Sequence, residues 1–188
     1  MGIIGSQRSS GGGREYRKDS KPYEVNRVDS YTPSVDEELD QAFVNTESMT
    51  SDTTLNVGVV RISDGVLMSA VSTTCTGDAG GTRQFLSVTY PAGVILQAGV
   101  EYAQVVGGAA GPPGFYIFRT GQAVGDTEAV VESGYPMTGP ITLPGTAGKN
   151  VRHSYSTTKA LVTGPNTPVN PSITNLLATS ARLNWEQG

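Results

Sequence analysis

The sequence predicts an all-β protein: a jelly-roll-like antiparallel β-sandwich preceded by an extended, irregular N-terminal arm. Three observations lead there. The 188 residues carry 24 Gly and 11 Pro, which cut the chain into short pieces. Between these breaks lie Val, Ile, Leu, Thr and Ser, with none of the long Ala/Leu/Glu/Lys runs that helices need. Short segments joined by Gly/Pro turns are the pattern of a sandwich or barrel, and the length fits one core of ordinary size plus extensions.

Residues 1–43 read as the arm. Ser9-Ser10-Gly11-Gly12-Gly13 is a flexible tract. Arg8, Arg14, Arg17, Lys18, Lys21 and Arg27 crowd the start, and Asp36, Glu37, Glu38 and Asp40 follow as a block, although the whole chain carries only -4. Tyr16, Tyr23, Val25, Val28 and Tyr31 are scattered among these charges at neither helical nor strand spacing. Such a segment cannot bury enough apolar surface to offset its own ordering entropy: either a partner supplies the missing surface or the segment is a solvated, disordered leader. Arg14, Tyr16, Arg17, Tyr23, Val25, Arg27 and Tyr31 are the expected partner-binding residues. At the end of the arm, Ser34 to Phe43 has the form of one short helix, with Ser34 as N-cap and Glu37 closing a capping box.

Residues 44–163 form the expected sandwich. In Thr54 to Ile62, Leu55, Val57 and Val59 alternate with small or polar residues and share one face. Ser63-Asp64-Gly65 supplies a turn, and Val66 to Ser72 returns as the second strand of a hairpin. Gln84 to Tyr90 is a strand with Phe85 or Leu86 inward; Val94 to Leu96, Val100 to Val106 and Phe115 to Arg119 follow. Weaker strands are expected at 128–132, 140–143 and 151–162.

Chemistry is hard to find. His153 is the single histidine, and a triad needs nucleophile, base and orienting acid together, so it reads as a strand residue. One Cys and one His do not make a zinc site, and Asp64, Asp78 and Asp126 are explained by turns. Cys75 permits no intrachain disulfide and sits in a strand-like stretch. Glu128 and Glu132, an even number of residues apart, fit a solvated strand face better than a glycosidase pair. Gly107 to Gly111 has no Lys-Ser/Thr after it and is no phosphate loop. No enzyme activity, cofactor or metal is expected. The acidic balance disfavours nucleic acid, and neither a targeting segment nor a membrane-spanning run appears. Among the aromatics Tyr102, Phe115, Tyr116, Phe118 and Tyr135, alternation pairs Tyr116 with Phe118, and these two are the candidate ligand platform for a glycan.

Two resemblances add to this. The stretch Leu55 to Arg119, through Val59-Val60-Arg61-Ile62, Phe85-Leu86-Ser87-Val88 and the step from Leu96 through Ala98-Gly99 to Tyr102, resembles a β-sandwich module of phage tail fibres and bacterial surface proteins. Residues 164–188 read as a linker followed by Pro168 to Leu176 and Thr179-Ser180-Ala181-Arg182-Leu183-Asn184-Trp185. These resemble the first two strands of a fibronectin type III domain, cut short, with Trp185 as its core tryptophan. That resemblance implies that the natural polypeptide continues beyond Gly188, the favoured reading, or that these residues pair with another chain. The order of arm, sandwich and fibronectin-like segment resembles virion proteins of phage tail, fibre or neck. It implies a virion structural protein made in the host cytoplasm, anchored by its arm to other virion proteins, with the sandwich as spacer or docking module. The family analogy also implies a homo-oligomer, a trimer by preference. The alternatives are a carbohydrate-binding module of a bacterial surface protein and a capsid decoration or head-fibre protein.

Overall fold

The computed structural model describes residues 1–7, 14–17, 23–48, 52–77, 82–108, 115–118, 137, 139–141, 143, 154–161, 169–177 and 180–186. Among them there is no helix; most are strand, and two antiparallel sheets pack together as an all-β sandwich. The strands are β1 (Ile3–Ser6), β2 (Arg14–Arg17), β3 (Tyr23–Tyr31), β4 (Glu37–Ser48), β5 (Thr53–Arg61), β6 (Leu67–Cys75), β7 (Arg83–Thr89), β8 (Ile95–Leu96), β9 (Tyr102–Gly108), β10 (Phe115–Phe118), β11 (Ser154–Ala160), β12 (Val169–Leu177) and β13 (Ser180–Glu186).

The larger sheet has β4 at its centre, with β11 and then β1 on one side and β7 and β8 pairing it as well; β10 and β2 extend it. The smaller runs β3-β9-β5-β6, and β12 pairs with β13 in a sheet of their own. The connections β3–β4, β4–β5, β6–β7 and β8–β9 each cross from one sheet to the other. The expected hairpin is β5–β6, with Val57 opposite Val71. Arg61 clamps its turn by donating from Nε and Nη2 to the Asp64 carboxylate at 2.9 and 2.6 Å.

Two readings of the first 43 residues need correction. The segment Ser34 to Phe43 is not helical: β4 is a strand from Glu37, paired with β11, β7 and β8. Nor do residues 1–43 stand apart as an arm, because β4 runs straight through residue 43, β1 pairs with β11 and β3 with β9. Four of their apolar residues are core: Ile4, Val25, Leu39 and Ala42 are all at most 4% exposed. The surface a partner was expected to supply comes from strands far along the same chain.

A bulge explains why β4 imitates a helix. Ser156 faces Ala42, but Thr158 faces Leu39, so Asp40 and Gln41 together oppose Thr157. The Thr157 hydroxyl accepts from the Gln41 amide at 3.3 Å. The extra residue resets the alternation, so that Glu37 and Leu39 point inward before it and Ala42, Val44 and Thr46 after it.

Leu55, Val57, Val59, Tyr102 and Val106 of the smaller sheet meet Ile4, Leu39, Ala42, Val44 and Leu96 of the larger. Tyr90 and Cys75 complete this layer. A second cluster covers the opposite side of the smaller sheet: Val25, Val60, Ala103 and Val105 under Met137 and Ile141. Burial on both faces is why every residue from Tyr102 to Gly107 is inaccessible. The weak strand expected at 140–143 is not formed by the described residues 140, 141 and 143; Ile141 donates its amide to the Gly65 carbonyl at 2.7 Å. The weak strand expected at 128–132 lies outside the described residues.

Candidate functional site

The step from Leu96 through Gly99 to Tyr102 has a structural cause. Gly99 turns at φ 74°, Tyr102 is fully buried, and its hydroxyl accepts from the Gln97 amide at 3.0 Å. One group of buried polar side chains ties the sheets together. Gln104 of β9 accepts from Ser154 Oγ at 2.7 Å, and donates to Ser156 Oγ at 3.2 Å and the Phe43 carbonyl at 3.5 Å. Tyr90 Oη lies 2.9 Å from Ser156 Oγ. Burial pushes the Tyr90 phenol well above its usual range, only partly offset by Ser156.

A second buried group gathers at Glu37, which is 6% exposed. Its Oε2 accepts from Tyr31 Oη at 2.9 Å and from Thr158 Oγ1, and Met1's ammonium lies 3.7 Å from Oε1. Burial and then the Glu37 hydrogen bond raise the Tyr31 phenol. These groups join the N-terminus, just ahead of β1, to β3, β4 and β11. Among the described residues, no three His, Cys, Asp or Glu side chains are grouped as metal ligands would be.

The outer face of the larger sheet is different. Alternation places Arg83, Phe85, Ser87 and Thr89 of β7 on it, next to Gln41, Phe43 and Asn45 of β4 and Tyr155, Thr157 and Lys159 of β11. Phe43 sits directly opposite Tyr155 and diagonal to Phe85, because Phe43 faces Ser87 and Phe85 faces Asn45. The Phe43 ring centroid is 4.8 Å from Tyr155 and 5.8 Å from Phe85, with planes 22° and 17° apart. Phe85 and Tyr155 close the triangle at 6.4 Å. Phe85 is 53% exposed. Lys159, on the same face, is held by Glu38 and Asp40 at 3.6 and 3.8 Å. Asn45, opposite Phe85, is 4% exposed, and its Oδ1 has no hydrogen-bond partner among the described residues.

The residues singled out from sequence fall elsewhere. Tyr116 and Phe118 lie in β10, where Tyr116 faces Tyr16 of β2 and Glu47 of β4, and Phe118 faces Arg14. Arg14, Tyr16 and Arg17 lie in β2, and Tyr23, Val25, Arg27 and Tyr31 in β3. Of the expected arm contacts, Val25 is core and Tyr31 packs against the inter-sheet cluster, so these two are committed within the chain. His153, Asp78, Asp126, Glu128, Glu132 and Tyr135 lie outside the described residues. The triad Phe43, Phe85 and Tyr155 was missed. The alternation of Arg83, Phe85, Ser87 and Thr89 against Gln84, Leu86 and Val88 marks Phe85 as the outward aromatic, but its neighbours depend on register.

A groove of about 330 Å³ runs between Ile62–Gly65 and Pro140, Ile141 and Leu143. No family model matches the chain, and no curated protein matches it in sequence.

Proposed function

We propose that this chain is a non-catalytic virion structural protein, a tail-fibre or tail-associated component whose sandwich serves as a rigid spacer carrying a docking module. The observation that supports this reading is the β12–β13 hairpin. Its strands pair antiparallel with each other, Ile173 opposite Leu183, and with no other strand among the described residues. A two-stranded hairpin is marginal in water by itself, so it gains stability by pairing or packing with something further. The fibronectin-like pattern around Trp185 fits the same role, as a module handed on from the sandwich to the next part of an assembly. Copies associate as a homo-oligomer, by analogy a trimer, and the protein resides in the virion.

The anchor is not the whole N-terminal segment, because β1, β3 and β4 belong to the sandwich. Removing residues 1–35 would strip β1 and β3 from their sheets and test stability instead of assembly. The better experiment removes residues 164–188. The full chain is expected in purified particles, as detected by mass spectrometry. The shortened chain is expected to keep its β-type circular dichroism and be absent from particles. A full chain that never enters particles sinks the proposal. Equal incorporation of both chains moves the docking surface to the sandwich, as a capsid decoration or head-fibre protein would have it.

A further inference from the structure

We propose that the outer face of the larger sheet, centred on Phe43, Phe85 and Tyr155, is a binding face for neutral carbohydrate, with Asn45 supplying a hydrogen bond to a sugar hydroxyl. The three rings form one contiguous apolar patch, with centroids 4.8 to 6.4 Å apart and planes within 39° of each other. The apolar face of a pyranose packs against a patch of this kind. Phe85, 53% exposed, is its open side.

Asn45 is the independent observation. A buried acceptor without a partner is destabilising, and each such group in a folded protein calls for a reason. Asn45 Oδ1 is such an acceptor, on a side chain that shares the face with the rings and stands directly opposite Phe85. No hydrogen bond among the described residues uses it. A hydroxyl donor arriving with a stacked sugar satisfies it once the half-exposed Phe85 ring turns aside.

The surroundings decide the class of ligand. Gln41, Ser87, Thr89 and Thr157 give the patch a hydrogen-bonding rim, with Arg83 two residues from Phe85 at its far end. Lys159 is paired with Glu38 and Asp40, so no unmatched cation is offered to an anionic ligand from that end. A standard protein interface needs about 800 Å² from each partner, far more than three rings of which one is half exposed. A small polyol fits this patch better than a protein.

The test uses the full chain on an array of neutral oligosaccharides built from glucose, galactose and N-acetylglucosamine, followed by titration calorimetry on the hits. At least one saccharide is expected to bind. Phe85→Ala should weaken it about tenfold or more, while Phe85→Tyr, which keeps the ring, stays close to the parent. Asn45→Leu gives a readout that a structural role would not. Replacing a buried amide whose oxygen lacks a partner among the described residues by an apolar group of similar size leaves the melting temperature unchanged or higher, while saccharide affinity falls several-fold. No binding by the folded chain to any saccharide on the array overturns the proposal, as does equal binding by Phe85→Ala. Self-association that Phe85→Ala abolishes, without sugar binding, overturns it in favour of contact between copies of this chain.

Discussion

Gln104→Leu should cost about 2–3 kcal/mol, and the figure follows from where its bonds go. The residue is fully buried on β9 of the smaller sheet. Its amide bonds Ser154, Ser156 and the Phe43 carbonyl, all in the larger sheet, at 2.7, 3.2 and 3.5 Å. Leucine has nearly the same volume, so no cavity opens and the change is almost purely polar. Each hydrogen bond is worth about 1 kcal/mol net, and an orphaned buried group costs about 1–3 kcal/mol. The orphan cost is avoided here. Ser156 keeps Tyr90 Oη at 2.9 Å, and Ser154 keeps the Phe43 carbonyl at 3.3 Å. The loss is therefore at least the net worth of these two good bonds and one long one among the described residues. Urea unfolding reads it as a shift of midpoint at constant slope, and thermal unfolding as about 2–4 °C per kcal/mol for a chain of this length. Adding Ser154→Ala to Gln104→Leu should cost less than the sum of the two single changes, since both remove the same bond. A Gln104→Leu midpoint within about 0.5 kcal/mol of the parent refutes the reasoning, as does strict additivity in the cycle.

Other expectations test other parts of the fold. Gly65 has φ +73°, and a Cβ there would collide with the Ile141 carbonyl oxygen, so Gly65→Ala should cost about 1–3 kcal/mol in urea unfolding. Leu39→Ala should cost about 2–5 kcal/mol, whereas Asp40→Ala and Gln41→Ala at the bulge should each cost under about 1 kcal/mol; equal losses would contradict the bulge. Tyr31 and Tyr90 both have phenols raised above the usual 10.0, Tyr90 the more. The stability of their neutral forms is complete below that value and is lost as pH rises past it. Melting temperature should fall steeply in alkali, and less steeply in Tyr90→Phe, with phenolate absorbance following the same rise.

The sandwich was legible where strands alternate plainly and pair with near neighbours. The β5–β6 hairpin needed only Leu55, Val57, Val59 and the turn at Asp64. Strand β4 was not legible, because Ser34 and Glu37 mimic a capping box and the bulge sets Leu39 and Ala42 three residues apart, the spacing of a helix face. Strands β1 and β3 were hidden by distance along the chain: Ile4 faces Ser156, and Val25 faces Val105. Local composition cannot report a partner that far away, so charged, short segments look disordered. The aromatic face failed to appear for the same reason. Phe43 fell in the expected helix and Tyr155 in a weak strand, and only cross-strand register brings them within 4.8 Å.

The doubled position at Asp40 and Gln41 also bears on how this chain tolerates change in length. In a regular strand, losing one residue turns everything beyond it inside out. Here two residues share one station opposite Thr157, so dropping either leaves Glu37 and Leu39 on one flank and Ala42, Val44 and Thr46 on the other still turned toward the same interior. The central strand thus contains one spare link, at the one place among its paired residues where shortening the chain straightens the backbone without reversing it.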